Sequence, residues 1–402
     1  MILSHLYNPK AAILCNFVSE LTIQKMLLYN KKIAIIGAGP VGLTMATLLQ
    51  QQGAGVTVYE RDSDAQARIW GGPIDLHKGS GQKAMQKAGL LQHYYNRALP
   101  MGRTITDAQG TVFFSKKPTP EEANDNPEIN RNHLRQLLLN SLTADTVVWG
   151  CKFTELDLHN GKWLIHFENK PNAVADIVIG ANGGMSGVRK YVTDAAVEYT
   201  GSFIIQGEVP QPEINCPGFY TLCGGNILMT AAHGITFTAN PKNNSALAYG
   251  ISFRKPESWV KENGLNFQDT QSIVVFLLGM FYNWHECYKQ LFRSTAFFVG
   301  LPARKLPLGV RWKNNRPLPI TLIGDAAHIM PPFAGQGVNT GTLDALILSE
   351  NLTAGKFETI EAAISDYEQK MFVYAQEAQT ETGINEIAMH HPDFSFTKRF
   401  SN

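Results

Sequence analysis

The chain reads as an α/β protein in which a parallel, dinucleotide-type sheet is interrupted by an antiparallel one. Three observations carry that expectation. KKIAIIGAGPVGLTMATLLQQQG reads as strand, glycine turn and helix. Two later hydrophobic runs, ADIVIGANGG and PLPITLIGD, each leave a strand for a loop of small residues. Between these two runs, around residues 195–300, the pattern changes. FIIQGEVP, GFYTLCGG, GITFTANP, ALAYGISF and TAFFVGLP are short, aromatic and β-branched, and Gly, Pro and Asn separate them.

Taken in order, residues 1–29 come first. AAILCNFV is apolar but too short to span a bilayer, and no small-x-small cleavage pattern follows it. This stretch is expected to be an appendage or a mis-assigned start, with Met26 a sensible alternative beginning. The first motif follows. Gly37, Gly39 and Gly42 give GxGxxG: a tight turn, room for backbone to approach a pyrophosphate, and close helix–strand packing. The free N–H groups of the helix start suit phosphate. The next run, VTVYER, carries Glu60 at roughly the 20-residue distance from which an acid reaches a ribose 2′-OH. A dinucleotide, FAD or NAD(P), is the ligand this context implies, and the acid argues against a 2′-phosphate.

The middle motif, ADIVIGANGGMSGVRK, ends a strand in small residues and then carries Ser186 and Arg189. The late motif is GDAAHIMPPFAGQGVNTG. Asp325 stands at a strand end, where it can accept from a sugar or ribityl hydroxyl. Pro331 and Pro332 fix φ, and Gly335-Gln336-Gly337 opens a helix whose positive end suits a delocalised anion such as a reduced flavin ring. Residues 358–385 read as a long helix bracing the two parts, with the tail 386–402 near the cavity. The flavin-type domain is thus expected in three pieces, 30–90, 117–190 and 295–345, and the substrate domain in two, 91–116 and 191–294.

Composition narrows the function classes. The chain has 402 residues, 44% hydrophobic and 17% charged, with a net charge of +1. That balance points to neither nucleic acid nor an anionic membrane as partner. The five cysteines are scattered without CxxC spacing, which fits a reducing cytoplasm. His390-His391 lacks convergent ligands, so no metal is expected. His328 reads as a packing residue and His77-Lys78 as structural.

Together the three motifs resemble the class A flavoprotein monooxygenases, with the fold of p-hydroxybenzoate hydroxylase. ERDSDAQARIWGGPIDLHKGSGQKAMQKAGLL, DNPEINRNHLRQLLLNSL, QPEINCPGF and RPLPITLIGDAAHIMPPFAGQGVN look more closely like the TetX-type tetracycline destructases, the tetracycline-inactivating monooxygenases. This resemblance covers residues 26–402 and includes Asn182, where most of the class carries Asp. It implies a Rossmann-type FAD domain, an inserted antiparallel-sheet substrate domain, and oxygen transfer from a flavin C4a-hydroperoxide with NADPH and O2 as co-substrates. It places Glu60, Arg61, Asp75, Arg131, Asp325, Pro332, Gly335, Gly337 and Val338 with the three motif glycines at FAD, and Arg68 at NADPH. Gln206, Ile227, Ala248, Gly250, Phe333, Met389 and Phe396 fall to the substrate. No protein acid or base is required, and a monomer is expected.

The chain departs from that branch at the substrate. An Arg belongs where it has Ile227, a His where it has Ala248, and a Phe where it has Thr238, with Phe237 adjacent. Gln206 remains, and His233 could offer a substitute donor but reads as a surface loop residue. Each lost polar contact is worth roughly 0.5–3 kcal/mol. Tetracycline is the first expected substrate and another aromatic or polycyclic compound the second. A flavin-bound drug carrier and a flavin reductase are the readings from other classes.

Overall fold

The computed structural model describes residues 27–67 and 69–399. The expectations for the N-terminal stretch, including Cys15 and the Met26 start, and for Arg68 lie outside the described residues. A five-stranded parallel sheet runs in the order Ile320–Leu322, Ile177–Gly180, Lys32–Ile36, Gly55–Tyr59, Val147–Val148. Three adjacent strands, from the edge strand Ile320–Leu322 through Ile177–Gly180 to Lys32–Ile36, are the apolar runs of the three motifs, and they are buried almost throughout, as a covered parallel sheet requires. Each motif loop therefore leaves the same edge of one sheet, side by side.

The glycine turn is dictated by sterics. Gly37 has φ +113°, and a Cβ on it would come within 2.5 Å of the Ala181 carbonyl oxygen. A Cβ on Gly42 would stand 2.1 Å from the Gly37 carbonyl oxygen. Neither position accepts a side chain without moving backbone. Helix Pro40–Gln50 starts here, with proline in its first turn, and helix Gly337–Thr353 packs across it.

The second sheet has seven strands. Their order is Phe297–Lys305, Glu198–Pro210, Ala246–Arg254, Ile235–Asn240, Ile227–Ala232, Arg103–Thr106, Val112–Lys116. Pairing is antiparallel except between Ile227–Ala232 and Arg103–Thr106, which run parallel. One face carries an aromatic core under helices Pro217–Cys223, Thr270–Met280 and Glu286–Arg293. Phe237 sits in that core, within 5.6 Å of the rings of Phe219, Tyr249 and Tyr288. The other face looks toward the motif loops.

Three details differ from the sequence expectation. Strand Phe297–Lys305 pairs with Glu198–Pro210 in the second sheet, so the third flavin-domain piece begins later than 295. Residues 91–98 pack into the core of the parallel-sheet domain through Tyr94 and Ala98, so the inserted part begins nearer to Arg103 than to residue 91. Residues 152–175 form a three-stranded antiparallel sheet with no counterpart in that reading.

Helix Ile360–Met389 spans 30 residues. It buries one stripe, Ala363, Tyr367, Met371, Ala375, Ala378, Thr382 and Glu386, along the whole molecule. Glu368 on that stripe meets Arg316 through two bonds of 2.6 Å and accepts from Thr321 Oγ1 at 2.7 Å. Thr321 belongs to the sheet edge, so this ion pair fastens helix to sheet. Past the helix, Phe396 and Phe394 pack against Ile105 and Met229 of the seven-stranded sheet. No described helix is long and apolar enough to cross a membrane.

Candidate flavin and substrate site

A cavity of about 790 Å³ lies between the motif loops and the open face of the seven-stranded sheet. Gly39, Asp75, Arg131, Asp325, Pro332, Gly335, Gly337 and Val338 line it from the parallel-sheet side. Gln206, Ile227, Ala248 and Gly250 line it from the seven-stranded sheet, and Phe333, Met389 and Phe396 close its sides. Gly37, Gly42 and Glu60 lie behind this wall, and Arg61 is exposed beyond the strand. A separate hollow of about 950 Å³ beside Trp312 and Glu368 carries none of the three motifs.

Each motif loop is held by specific bonds. The Glu60 carboxylate accepts from the Ala38 N–H in the glycine turn and from the Asp62 N–H at 3.0 Å. Arg189, from the middle motif, is buried and donates to the Ala326 carbonyl at 2.9 Å and the Asp325 carbonyl at 3.0 Å. The middle motif thus clamps the backbone of the late one. Asn339 donates to the Asp75 carbonyl at 3.0 Å and accepts from the His77 N–H at 2.7 Å, which ties the Gly337 helix to the Asp75 loop. Arg131 Nε donates to the Gly72 carbonyl at 2.9 Å.

Charge is concentrated on the parallel-sheet side. Asp325 faces the cavity and is accessible from it, and the loss of bulk water around it raises its carboxyl above the usual range against the pull of His328, Arg131 and Arg189. Burial likewise lowers Arg131, opposed by Asp325 and Glu128. Asp75 and Glu128 face each other on a two-residue ribbon. Burial, then the charge of Asp75, pushes Glu128 up to about 7. Burial opposes ionisation of Asp75 too, but His77 at 3.3 Å and Asn126 at 3.0 Å hold its carboxyl below the usual range.

His328 is fully buried. It bonds Asp344 at 2.7 Å, and Asp344 also accepts from the Gly324 N–H and the Tyr374 hydroxyl. It lies outside the cavity lining, as a support under the late motif. His390 bonds Ser252 at 2.9 Å and the Glu386 carbonyl at 2.7 Å, joining the helix end to the sheet. His233 is exposed at the hairpin turn with φ +52° and does not line the cavity.

The substrate-side floor is a register pattern. Gln206, Gly250, Thr238 and Met229 form one row across four strands. A Cβ on Gly250 would meet nothing within 4 Å, so the row has a gap at its centre. Thr238 faces the cavity and its neighbour Phe237 faces the opposite core, so Phe237 cannot replace the missing ring. Glu128, Arg103 and Asn126 also line the cavity and were not singled out from the sequence. A two-residue strand shows no periodicity, so nothing marked Glu128 as facing inward.

These residues fit a flavin dinucleotide. A Cβ on Gly39 would point into open space at the start of an 11-residue helix, the approach a pyrophosphate requires. The FAD binding domain family profile matches residues 30–210 and 310–381, more than half of the chain. The chain belongs to this family of FAD-dependent monooxygenases. Among its relatives, the kynurenine 3-monooxygenase of Cytophaga hutchinsonii is 30% identical across 82% of this chain and 74% of its own length. Monooxygenase penA of Penicillium thymicola is 29% identical across 80% and 84%.

Solved structures share the fold. Klebsiella pneumoniae HpxO complexed with FAD and uric acid superposes with a TM-score of 0.74 at 20% identity, covering 91% of this chain and 90% of that one. Tetracycline destructase Tet(51) superposes with a TM-score of 0.69 at 20% identity, covering 90% and 92%. The architecture is the expected one: a Rossmann-type FAD domain, an inserted, mainly antiparallel sheet and a C-terminal bracing helix, of p-hydroxybenzoate hydroxylase type.

Proposed function

We propose that this flavin monooxygenase consumes NADPH and O2 to hydroxylate an electron-rich carbon of a polycyclic substrate, and that tetracycline antibiotics are that substrate. The observation that carries the reading is the single cavity shared by the flavin motifs and the seven-stranded sheet. Bound FAD supplies the redox and oxygen-activating chemistry. The protein's task is to bind, orient and exclude water.

Gly39 admits the pyrophosphate, and Glu60 takes the ribose. Asp75, Arg131 and Asp325 hold the remainder of the dinucleotide. The N–H groups at Gly335–Gly337 open a 17-residue helix toward the cavity, and their positive end favours a reduced, anionic ring. Arg68 receives NADPH. Opposite, Gln206 lines the cavity from between two paired strands and offers its side-chain amide to the substrate. Ile227, Phe333, Met389 and Phe396 supply apolar walls that keep water from the reacting carbon. The reading includes a monomer acting in the cytoplasm.

A second reading keeps the chemistry and changes the substrate to another aromatic or polycyclic compound. Ile227 and Ala248 favour it, because both present alkyl surface where polar anchors hold a tetracycline. The similarity to kynurenine 3-monooxygenases, named for a small aromatic substrate, points the same way.

The test is NADPH oxidation by the flavin-loaded protein with and without tetracycline. Tetracycline-stimulated oxidation supports the first reading. Stimulation by other aromatic compounds but not by tetracycline moves the substrate. No NADPH consumption with any of them contradicts both.

A further inference from the structure

The hollow of about 950 Å³ beside Trp312 shares no lining residue with the flavin cavity. It lies between helix Ile360–Met389 and residues 308–320, which lead into the edge strand of the parallel sheet. Its size is that of a small-molecule site. Leu308, Ile320 and Ile364 give it a buried apolar base. The rings of Trp312 and Phe372, with centroids 5.3 Å apart and planes at 69°, make a corner at one end. Such a corner accepts the face or edge of a third ring.

The polar groups at that end are unmatched by the protein. Trp312 is 9% exposed, yet its indole N–H has no acceptor among the described residues. A buried indole N–H ordinarily finds one. This N–H is not sealed from solvent, and its ring lines the hollow. Arg311, Lys313 and Arg316 are the cations of the lining. Arg316 gives its nitrogens to Glu368 and to the Lys313 and Ile320 carbonyls. Lys313 pairs with Asp194 at 2.7 Å and donates to the Lys190 carbonyl at 2.8 Å. Arg311 has no hydrogen bond or ion pair among the described residues. Its planar fork fits the two oxygens of a carboxylate. The unpaired acid of the lining, Glu361, precedes Phe372 on the helix by about 16 Å of helical rise, so it faces the other end.

We infer that this hollow is a second ligand site, which binds a planar aromatic carboxylate. The ring of the ligand lies in the Trp312–Phe372 corner, and its carboxylate accepts from Arg311 and from the Trp312 N–H. Arg311 and Trp312 are consecutive in the chain, so one short segment supplies both donors. The site is separate from the flavin cavity and stands whether or not tetracycline is the substrate there.

The test is calorimetric titration of the FAD-loaded full chain with 2-naphthoate and with its uncharged amide, while flavin absorbance is followed in parallel. Occupancy beside the flavin changes the absorbance, and binding in the hollow gives heat without that change. The wild type is expected to bind 2-naphthoate in this silent mode, about three- to tenfold more tightly than the amide. Arg311→Gln is expected to erase that preference and leave the amide unchanged. Trp312→Phe keeps a ring and removes the N–H, and is expected to weaken both probes by about three- to tenfold. Flavin content and melting temperature report folding, and Phe372→Leu, which opens the corner, serves if the Trp312 variant is unstable. Heat that appears only with an absorbance change, equal affinity of the wild type for the two probes, or a preference that survives Arg311→Gln overturns the inference. So does silent binding that neither Trp312→Phe nor Phe372→Leu weakens.

Discussion

Asp325 shows how much scaffolding one carboxylate needs. Arg189 fixes its backbone from the neighbouring strand exit, and His328 and Asp344 brace the turn from below. On the substrate side, single residues decide which molecule fits. Ile227 and Ala248 make the wall alkyl, and under the proposed tetracycline reading the drug's oxygens would lie against them. Ile227→Arg with Ala248→His is therefore expected to tighten tetracycline binding by about tenfold, a restored gain of around 1.4 kcal/mol. Flavin-absorbance titration with the drug reads this directly. The gain stays below the sum of two new bonds because the guanidinium at 227 would stand beside Arg103. Unchanged affinity would mean that the drug does not lie against those two positions. Strand alternation made part of this wall legible in the sequence. It did not show which of Phe237 and Thr238 faces inward, because both suit a strand and only the packed helices on one face decide.

At the scale of elements, helix Ile360–Met389 is the part that joins the two domains. Its stripe mixes apolar residues with Thr382, Glu368 and Glu386, so the helix was legible from length and spacing rather than from hydrophobicity. The Arg316–Glu368 pair is largely buried, with side chains 14% and 8% exposed. Breaking such a pair strands a buried charge. Glu368→Ala is thus expected to destabilise the protein by about 3–5 kcal/mol, measured by chemical unfolding. A loss under about 1 kcal/mol would show that the pair does not fasten the helix. The helices of the inserted domain were not legible. TQSIVVFLLGM is apolar almost throughout and β-branched at its centre, which suits a buried strand as well as a helix. Its side-chain cap at Asp269 became visible only in three dimensions.

At the scale of the whole molecule, one sheet brings three motifs together and a second sheet faces them across about 790 Å³. The three strand exits could be read from the sequence because each pairs an apolar run with small residues. The relation of Arg103 to Ile227 could not. Residues so far apart in the chain become neighbours only through a parallel pairing that no local pattern encodes. The central proposal is that this cavity transfers an oxygen atom to tetracycline beside the flavin. The most direct measurement is turnover of tetracycline with NADPH under isotopically labelled O2, with the product weighed by mass spectrometry. The account predicts a product carrying one labelled oxygen atom, formed only when NADPH, FAD and O2 are all present. NADPH consumption with unmodified tetracycline, or a product whose added oxygen is unlabelled, would contradict it.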